Sequence, residues 1–200
     1  MPLREHSRSG PRRALQLGDR TLLRRPEADD EAEFLARARE SRALHRGLVE
    51  PPLTRPQFER FLRRVGQPGQ ELHFLCRRED GAIAGVLNLN EIVRGRLQEA
   101  KLGYYALVPF AGQGLMSEGV QLVLRRAFLE LGLHRVEASV QPSNAASIAL
   151  LARSGFRVEG FSPRLLHIGG SWRDHLRFAI DVEDWRAWRR RAGAQRGRRR

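Results

Sequence analysis

The chain has a single cysteine, a single lysine and no long hydrophobic run. Because Cys76 is the only cysteine among 200 residues, no disulfide can form within the chain. No stretch approaches the roughly 20 apolar residues of a membrane helix, so no membrane partner is expected. The first residues, 1–13, are charged and lack the apolar block of a secretory signal. These absences predict a cytoplasmic protein.

The scarcity of lysine shapes how the positive charge is interpreted. Lys101 is the only lysine, so the formal net charge of +13 comes almost wholly from arginine, as GC-rich codon usage would produce. The arginines are spread along the chain, and only the stretch from Arg189 to Arg200 forms a cluster. Such a cluster is typical either of a solvated tail or of a contact with RNA or a ribosome. The sequence leaves both open.

The length and the order of patterns predict one domain of class α/β. We expect a flexible N-terminal segment 1–19, a folded domain 20–185 and a basic tail 186–200. Helical and strand periodicities alternate without a repeat or a linker, which favours one mixed sheet with helices on both faces. The predicted strands are 20–25, 71–77, 82–90, 97–108, 135–140, 156–168 and 172–180. The predicted helices run from 29 or 30 to about 41, from 54 to about 65, from 113 to 131, from a cap at 143 or 144 to 155, and from 184 to 191.

A glycine turn between a strand and a helix is the strongest local signal. Gly112 and Gly114 follow an apolar strand that ends at Val108, and a helical pattern begins directly afterwards. Glycine allows a close backbone approach, and the first amides of a helix are free to bind phosphate. No third glycine and no Lys-Ser or Lys-Thr pair follows, so neither the Rossmann fingerprint nor the P-loop fits. The turn therefore predicts a phosphate held mainly by backbone amides.

Three short segments follow one another in the second half of the chain: residues 112–116 (Gly-Gln-Gly-Leu-Met), 141–147 (Gln-Pro-Ser-Asn-Ala-Ala-Ser) and 151–156 (Leu-Ala-Arg-Ser-Gly-Phe). In this order they resemble the GNAT family of N-acetyltransferases, and most closely its ribosomal-protein-alanine group, RimJ and RimL. The resemblance spans residues 20–185. It implies the GNAT acyl-CoA N-acyltransferase fold, with a central mixed sheet flanked by helices, and it implies acetyl-CoA as the co-substrate.

The resemblance also assigns the residues that would bind acetyl-CoA. The amides of the turn would hold the pyrophosphate, and the edge of the preceding strand would bind the pantetheine arm as an added strand does. An amide beside Val108 would stabilise the oxyanion. The implied binding residues are Ala106, Leu107, Val108, Gly112, Gln113, Gly114, Leu115, Met116, Asn144 and Ser147.

The catalytic assignment is less direct, because the chain departs from the family pattern. The position of the usual tyrosine acid is Leu151, and RimL-like enzymes instead have a serine at the position of Ser147, which would serve the leaving thiolate. Asn144 also fits a helix N-cap, and the two roles are compatible. The RimL-type glutamate falls at Leu166. Glu99 is then the candidate base, and a solvated surface carboxylate is the alternative for it.

The acceptor is the least specified partner. Asn88, Glu91 and Tyr104 are the expected acceptor-binding residues, and segments 46–56 and 161–171 are expected to form the walls of the groove. The leading expectation is acetylation of a protein N-terminal amine, with a small amine, an aminoacyl-nucleotide or an antibiotic as the alternative acceptor. A GNAT-like domain that only binds RNA or ribosomes is the alternative outside enzymes. No histidine or cysteine pair has ligand spacing, so no metal is expected.

Overall fold

One sheet organises residues 13–197, which are the part of the chain that the computed structural model describes. Its strands are β1 (Ala14–Leu17), β2 (Thr21–Arg24), β3 (Glu71–Arg77), β4 (Ile83–Val93), β5 (Glu99–Ala106), β6 (Arg135–Val140), β7 (Arg157–Ile168) and β8 (Ser171–Asp181). The helices are α1 (Glu31–Glu40), α2 (Arg42–His45), α3 (Arg55–Leu62), α4 (Leu115–Arg125), α5 (Ala145–Arg153) and α6 (Val182–Gly197). A 3-10 turn, Ala28–Asp30, leads into α1, and a π-helical segment, Arg126–Glu130, continues α4.

The strand order is β1-β2-β3-β4-β5-β6-β8-β7, and the only parallel pair in the described chain is β5 with β6. That pair is joined by α4, which is the crossover predicted from the strand, turn and helix pattern. The β3–β4 and β7–β8 hairpins are also confirmed. The mixed sheet with helices on both faces agrees with the predicted fold class.

Each face of the sheet has its own apolar core, because side chains alternate along a strand. On β4, Leu87 and Leu89 join a core with α4, α5 and α6, whereas Val86 joins a core with α1 and α3. The second core is rich in aromatic rings, and Phe34 stacks on Phe74 with 5.2 Å between centroids. Helices therefore cover both faces and hold β5 at the middle of the sheet.

Gly119 brings α4 unusually close to the sheet. A Cβ atom added at this position would lie 2.8 Å from Leu75 Cδ2 and 3.1 Å from Leu87 Cδ1, closer than such atoms normally approach. A larger residue would therefore push the helix away from the strands that it covers. The glycine fixes the height of α4 above the sheet, and with it the position of the turn that precedes the helix.

The structure corrects several boundaries. β1 lies inside segment 1–19, which was expected to be flexible, and pairs with β2, so that part of the expectation is wrong. The terminal helix is α6, which continues to Gly197, so most of the expected tail 186–200 is helical. The helix predicted for 113–131 begins at Leu115 and changes to π-helical geometry at Arg126. Residues 1–12 and 198–200, which belong to the two expected end segments, lie outside the described residues.

Candidate active site

β5 and β6 separate soon after they begin. They pair only through Glu99–Arg135, Ala100–Val136 and Lys101–Glu137. β5 nevertheless continues to Ala106 and β6 continues to Val140. The two strands therefore splay apart towards their carboxyl ends, where ligands of parallel strands commonly bind.

The splay leaves part of the β5 edge without a strand partner. The Leu107 amide donates to the Ala84 carbonyl over 2.9 Å. In this antiparallel register, the odd-numbered residues of β5 therefore direct their backbone N–H and C=O groups towards β4. The backbone groups of Tyr104 and Ala106 consequently face the splay. The Ala106 carbonyl accepts a hydrogen bond from His45 Nε2 at 2.8 Å. The amides of Tyr104 and Ala106 point away from β4, and no hydrogen-bond acceptor for them lies elsewhere in the described chain. This edge of β5 can therefore pair with a ligand.

The glycine turn forms a cradle of free amides. Gly112 and Gly114 have φ values of 79° and 80°, in the left-handed region that favours glycine. Gly114 is the N-cap of α4, and its carbonyl accepts from the Ser117 amide at 3.1 Å. Among residues 13–197, the amides of 112–116 have no acceptor. Successive free amides at a helix N-terminus form an anion-binding nest.

The cradle and the free strand edge open onto one cavity, which we call the first cavity. Its volume is about 430 Å³. Seven of the residues predicted for the site line it: Tyr104, Ala106, Gly112, Gly114, Met116, Asn144 and Ser147. These residues belong to β5, the turn, α4 and the N-terminal end of α5. The cavity thus brings together the three chain segments that carry the sequence motifs.

Tyr104 and Ser147 form a pair inside the first cavity. The Tyr104 hydroxyl is hydrogen-bonded to Ser147 Oγ. Asn144 is the N-cap of α5, because its Oδ1 accepts from the Ser147 amide at 3.1 Å, and it also lines the cavity. Burial raises the pKa of Tyr104 to about 12, although the hydrogen bond with Ser147 acts in the opposite direction. The phenol therefore keeps its proton at neutral pH and remains a donor.

A second cavity adjoins the first, with a volume of about 650 Å³. His45 and Val49 line both cavities. The wall of the second cavity includes the cationic side chains of Arg42, Arg46, Arg60 and Arg64 and the carboxylate of Glu50. Arg64 is held by Gln70 and Asn90. Arg42, Arg46 and Arg60 have no hydrogen-bond or ion-pair partner in the chain between 13 and 197, so the second cavity is strongly basic.

Three predicted site residues lie away from both cavities. Glu99 begins β5, whereas Ala106 ends it, and seven residue steps along the strand place their Cα atoms about 23 Å apart. Glu91 is exposed and pairs with Lys101. Asn88 accepts from the His73 amide at 3.4 Å, between β3 and β5. The structure therefore does not bring the expected base and acceptor residues to the cavities, and their roles stay predictions: strand parity gives the side of the sheet, and it does not give the distance along the strand.

Two expected binding amides are already engaged. The Val108 amide donates to Ser41 Oγ at 2.9 Å, and the Leu107 amide donates to Ala84. The Leu107 side chain is fully buried in the core with α1 and α3. Neither amide is free for the oxyanion or the pantetheine arm, which corrects that part of the expectation. Gln113 and Leu115 also do not line the cavity with their side chains, but their amides belong to the free cradle.

Sequence reasoning missed the wall that α2 contributes to the site. Leu44 and His45 of this helix line the first cavity, together with Leu48 and Val49 that follow it. A helix of four residues is too short to give a periodic pattern, so nothing local marks it. Segment 46–56, the expected acceptor wall, overlaps the observed one: Arg46, Gly47 and residues 49–53 line the second cavity.

Two other properties of the described chain bear on the site. Within residues 13–197, no three His, Cys, Asp or Glu side chains are grouped so that they could hold a metal ion. No helix in the same part of the chain combines the length and the apolar character required to cross a bilayer.

Known proteins resemble this chain in both sequence and structure. A probable N-acetyltransferase of Bacillus subtilis, YjcK, is 41% identical over 112 residues, which are 56% of this chain and 62% of that protein. The [ribosomal protein uS5]-alanine N-acetyltransferase of Escherichia coli is 37% identical over 107 residues, which are 54% of this chain and 55% of that protein. The chain therefore spans somewhat more than half the length of these curated relatives.

A solved structure shows the same architecture. Mycobacterium smegmatis RimJ in complex with CoA-disulfide superposes with a TM-score of 0.79 and 27% identity, covering 88% of this chain and 90% of that one. The acetyltransferase (GNAT) domain family matches residues 20–157, which include the splayed strands, the amide cradle and α5. The chain belongs to the GNAT acetyltransferase family.

Proposed function

We propose that this protein transfers the acetyl group of acetyl-CoA to the α-amine of a protein N-terminus. The acetyl-CoA part rests on one observation, that the free amides of 112–116 and the free edge of β5 meet in the first cavity. Such amides suit a pyrophosphate, and a free strand edge suits the amide-rich pantetheine arm. The names of the relatives, N-acetyltransferases, support the same reaction.

Acetyl-CoA supplies an acetyl group activated as a thioester, and the chain supplies the surroundings for its transfer. Two adjoining cavities hold the two reactants together, and this orientation accounts for a large part of the acceleration. The Ala106 amide faces the splay and is free to stabilise the negative charge that develops on the thioester oxygen. It takes the role that was expected of the amide beside Val108.

The Tyr104–Ser147 pair is the proposed proton donor to the leaving thiolate. The family's usual tyrosine is replaced by Leu151, which is buried in the core. Tyr104 places a phenol in the first cavity from a different element, β5, and hydrogen-bonds it to Ser147. Ser147 would donate to the sulfur and recover its proton from Tyr104, so that the two hydroxyls act as one donor.

The second cavity supports a protein N-terminus as the acceptor. Its unpaired arginines disfavour a polyamine and favour a chain with acidic side chains after its first residue. An α-amine has an ordinary pKa of about 8, compared with about 10.4 for lysine, so it is more readily neutral and nucleophilic. The E. coli relative is named for an alanine of ribosomal protein uS5, and we propose a cytoplasmic ribosomal protein as the acceptor here.

The basic end of the chain is a proposed contact with the ribosome. α6 presents Arg189, Arg190 and Arg191, and Arg196 follows them. The arginines of 198–200 lie outside the described residues. Deleting residues 192–200 should weaken co-sedimentation with ribosomes at physiological salt while acetylation of a free peptide is retained. Unchanged co-sedimentation would exclude residues 192–200 from this contact.

Thiol release and N-terminal mass spectrometry test the function. Purified protein with acetyl-CoA should release CoA when a peptide beginning with Ala or Ser is added, and the peptide should gain 42 Da at its α-amine, about the mass of an acetyl group replacing hydrogen. A matched peptide with a blocked N-terminus is the control. Turnover of small amines alone would replace the peptide acceptor, and acetyl-CoA binding without turnover of any amine would favour a non-catalytic RNA- or ribosome-binding role.

A further inference from the structure

His45 lies at the junction of the two cavities. It ends α2, and its side chain lines both the first and the second cavity. Only Val49 shares that property among the lining residues. An acceptor amine that passes from the second cavity to a thioester in the first must pass these two side chains. His45 is the one of the two that can exchange a proton.

The hydrogen bonds of His45 define its tautomer. Nε2 lies 2.8 Å from the Ala106 carbonyl oxygen, which can only accept, so Nε2 carries the proton. In the neutral ring Nδ1 then has a free lone pair. His45 is only 5% exposed, and Nδ1 is buried without a hydrogen-bond partner in the described chain. A buried acceptor without a partner is costly, which is a reason to expect a ligand group at this atom.

The surroundings of the ring keep it neutral. Burial lowers the pKa of His45 below its usual 6.5, although the hydrogen bond to Ala106 acts in the opposite direction. The edge of the ring packs against Tyr105 of β5, with centroids 5.2 Å apart. The titratable and charged groups that share its two cavities are Arg42 and Arg46 of its own segment, Glu50, Arg60 and Arg64 across the second cavity, and Tyr104, Tyr105 and Arg153 across the first.

We propose that His45 Nδ1 is the general base that takes the proton from the attacking amine. This inference rests on the proposed acetyl transfer. The amine nitrogen forms a bond to the acetyl carbon, the carbon–sulfur bond breaks, and the thiolate receives a proton from the Tyr104–Ser147 pair, which regains a proton from solvent before the next turnover. The proton that the nitrogen loses passes to Nδ1 and leaves to solvent after release of the amide. The Ala106 carbonyl, on the splayed strand, fixes the ring through Nε2 in the orientation that this transfer requires.

His45→Gln removes the basic nitrogen and keeps a donor for the hydrogen bond to the Ala106 carbonyl. Its side-chain amide can still donate to the Ala106 carbonyl, but it has no basic nitrogen. We expect unchanged acetyl-CoA affinity by calorimetry and a kcat lower by about a hundredfold or more. The acid limb of kcat against pH, with its midpoint below 6.5 in the unmodified protein, should vanish in the variant. His134→Gln is the matched control, because His134 is half-exposed beside Glu183, away from both cavities, and should keep full kcat.

Two further measurements address a purely structural role. Exogenous imidazole should restore part of the activity of His45→Ala, which an anchoring role alone would not allow. Histidine nitrogen NMR of the unmodified protein should show the Nε2–H tautomer and a titration midpoint below 6.5. A kcat and an acid limb that are retained in His45→Gln would overturn the inference, as would a ring that is already protonated at pH 7. If only a small amine is acetylated, the peptide acceptor is wrong, and His45→Gln measured with that amine still decides the role of His45.

Discussion

Replacing Gly114 by Ala tests whether the amide cradle binds the pyrophosphate of acetyl-CoA. Gly114 has a φ of 80°, and an added Cβ would meet nothing within 4 Å. The substitution therefore costs backbone strain alone, on the order of 1–2 kcal/mol for a residue with a Cβ in the left-handed region. The chain can relieve that strain by rotating out of this region, which turns the amides that flank residue 114 away from each other.

Backbone strain and the loss of a phosphate contact are measured by different experiments. For a domain of this size, 1–2 kcal/mol lowers Tm by about 2–8 °C. A charge-assisted hydrogen bond contributes about 1.5–3 kcal/mol, so loss of one amide contact with phosphate would raise the Kd for acetyl-CoA by about tenfold to a hundredfold. Calorimetric titration measures the Kd, and thermal unfolding without ligand measures the strain.

Gly132 provides the matched control. Its φ is 63°, an added Cβ would again meet nothing within 4 Å, and it does not line either cavity. Gly132→Ala should lower Tm by a similar amount and leave the Kd unchanged. If Gly114→Ala binds acetyl-CoA as tightly as Gly132→Ala does, the cradle does not hold the pyrophosphate, and the reasoning from free amides is refuted.

Three further predictions concern the Tyr104 hydroxyl, the Glu71 carboxylate and the Arg60 guanidinium. Tyr104→Phe, which removes the hydroxyl bonded to Ser147, should lower kcat by about tenfold or more while the acetyl-CoA affinity stays constant; an unchanged kcat excludes the phenol as a donor. Burial would raise the pKa of Glu71, but hydrogen bonds from Arg126 and His73 outweigh it and lower that pKa from 4.5 to about 2. This depressed pKa gives stability that is complete above pH 4.5 and is lost as the pH falls towards 2. The Tm of Glu71→Gln should therefore decline less over this interval than that of the unmodified protein. Parallel curves of Tm against pH for the two proteins would contradict the assignment. Arg60→Glu should raise the KM for a peptide with acidic residues after its N-terminal alanine by about fivefold, and Arg63→Glu, which is outside the cavity, should leave it unchanged.

The fold was predictable because most of its signals are local. Alternation in β4 and the Asp-Gly turn before it define a hairpin, and the strand, turn and helix order around Gly114 defines the parallel crossover. β1 escaped prediction because four residues in an arginine-rich segment give too short a pattern. The π-helical segment at Arg126 also has no local sequence signature, because it depends on how the helix end packs.

The site was predictable only where its residues belong to contiguous motifs. Gly112, Gly114 and Ser147 line the first cavity because the turn and the start of α5 each bring their own backbone geometry. Glu99 shows the limit, since its position at the far end of β5 depends on where the two strands separate. His45 could not be predicted for a different reason. It lies 61 positions before Ala106 and contacts it only because α2 packs on β5, and no short sequence pattern indicates that contact.

The splay of β5 from β6 has a consequence for hydrogen exchange. An amide in an unpaired strand edge exchanges its proton with solvent through small local openings, whereas a paired amide waits for larger ones. The Tyr104 and Ala106 amides should therefore exchange rapidly in the ligand-free protein, and the neighbouring amides of Tyr105 and Leu107, which face β4, should exchange slowly. A pantetheine arm bound along the edge would slow Tyr104 and Ala106 alone. The alternation of slow and fast exchange along β5 would therefore show directly whether the pantetheine arm is bound.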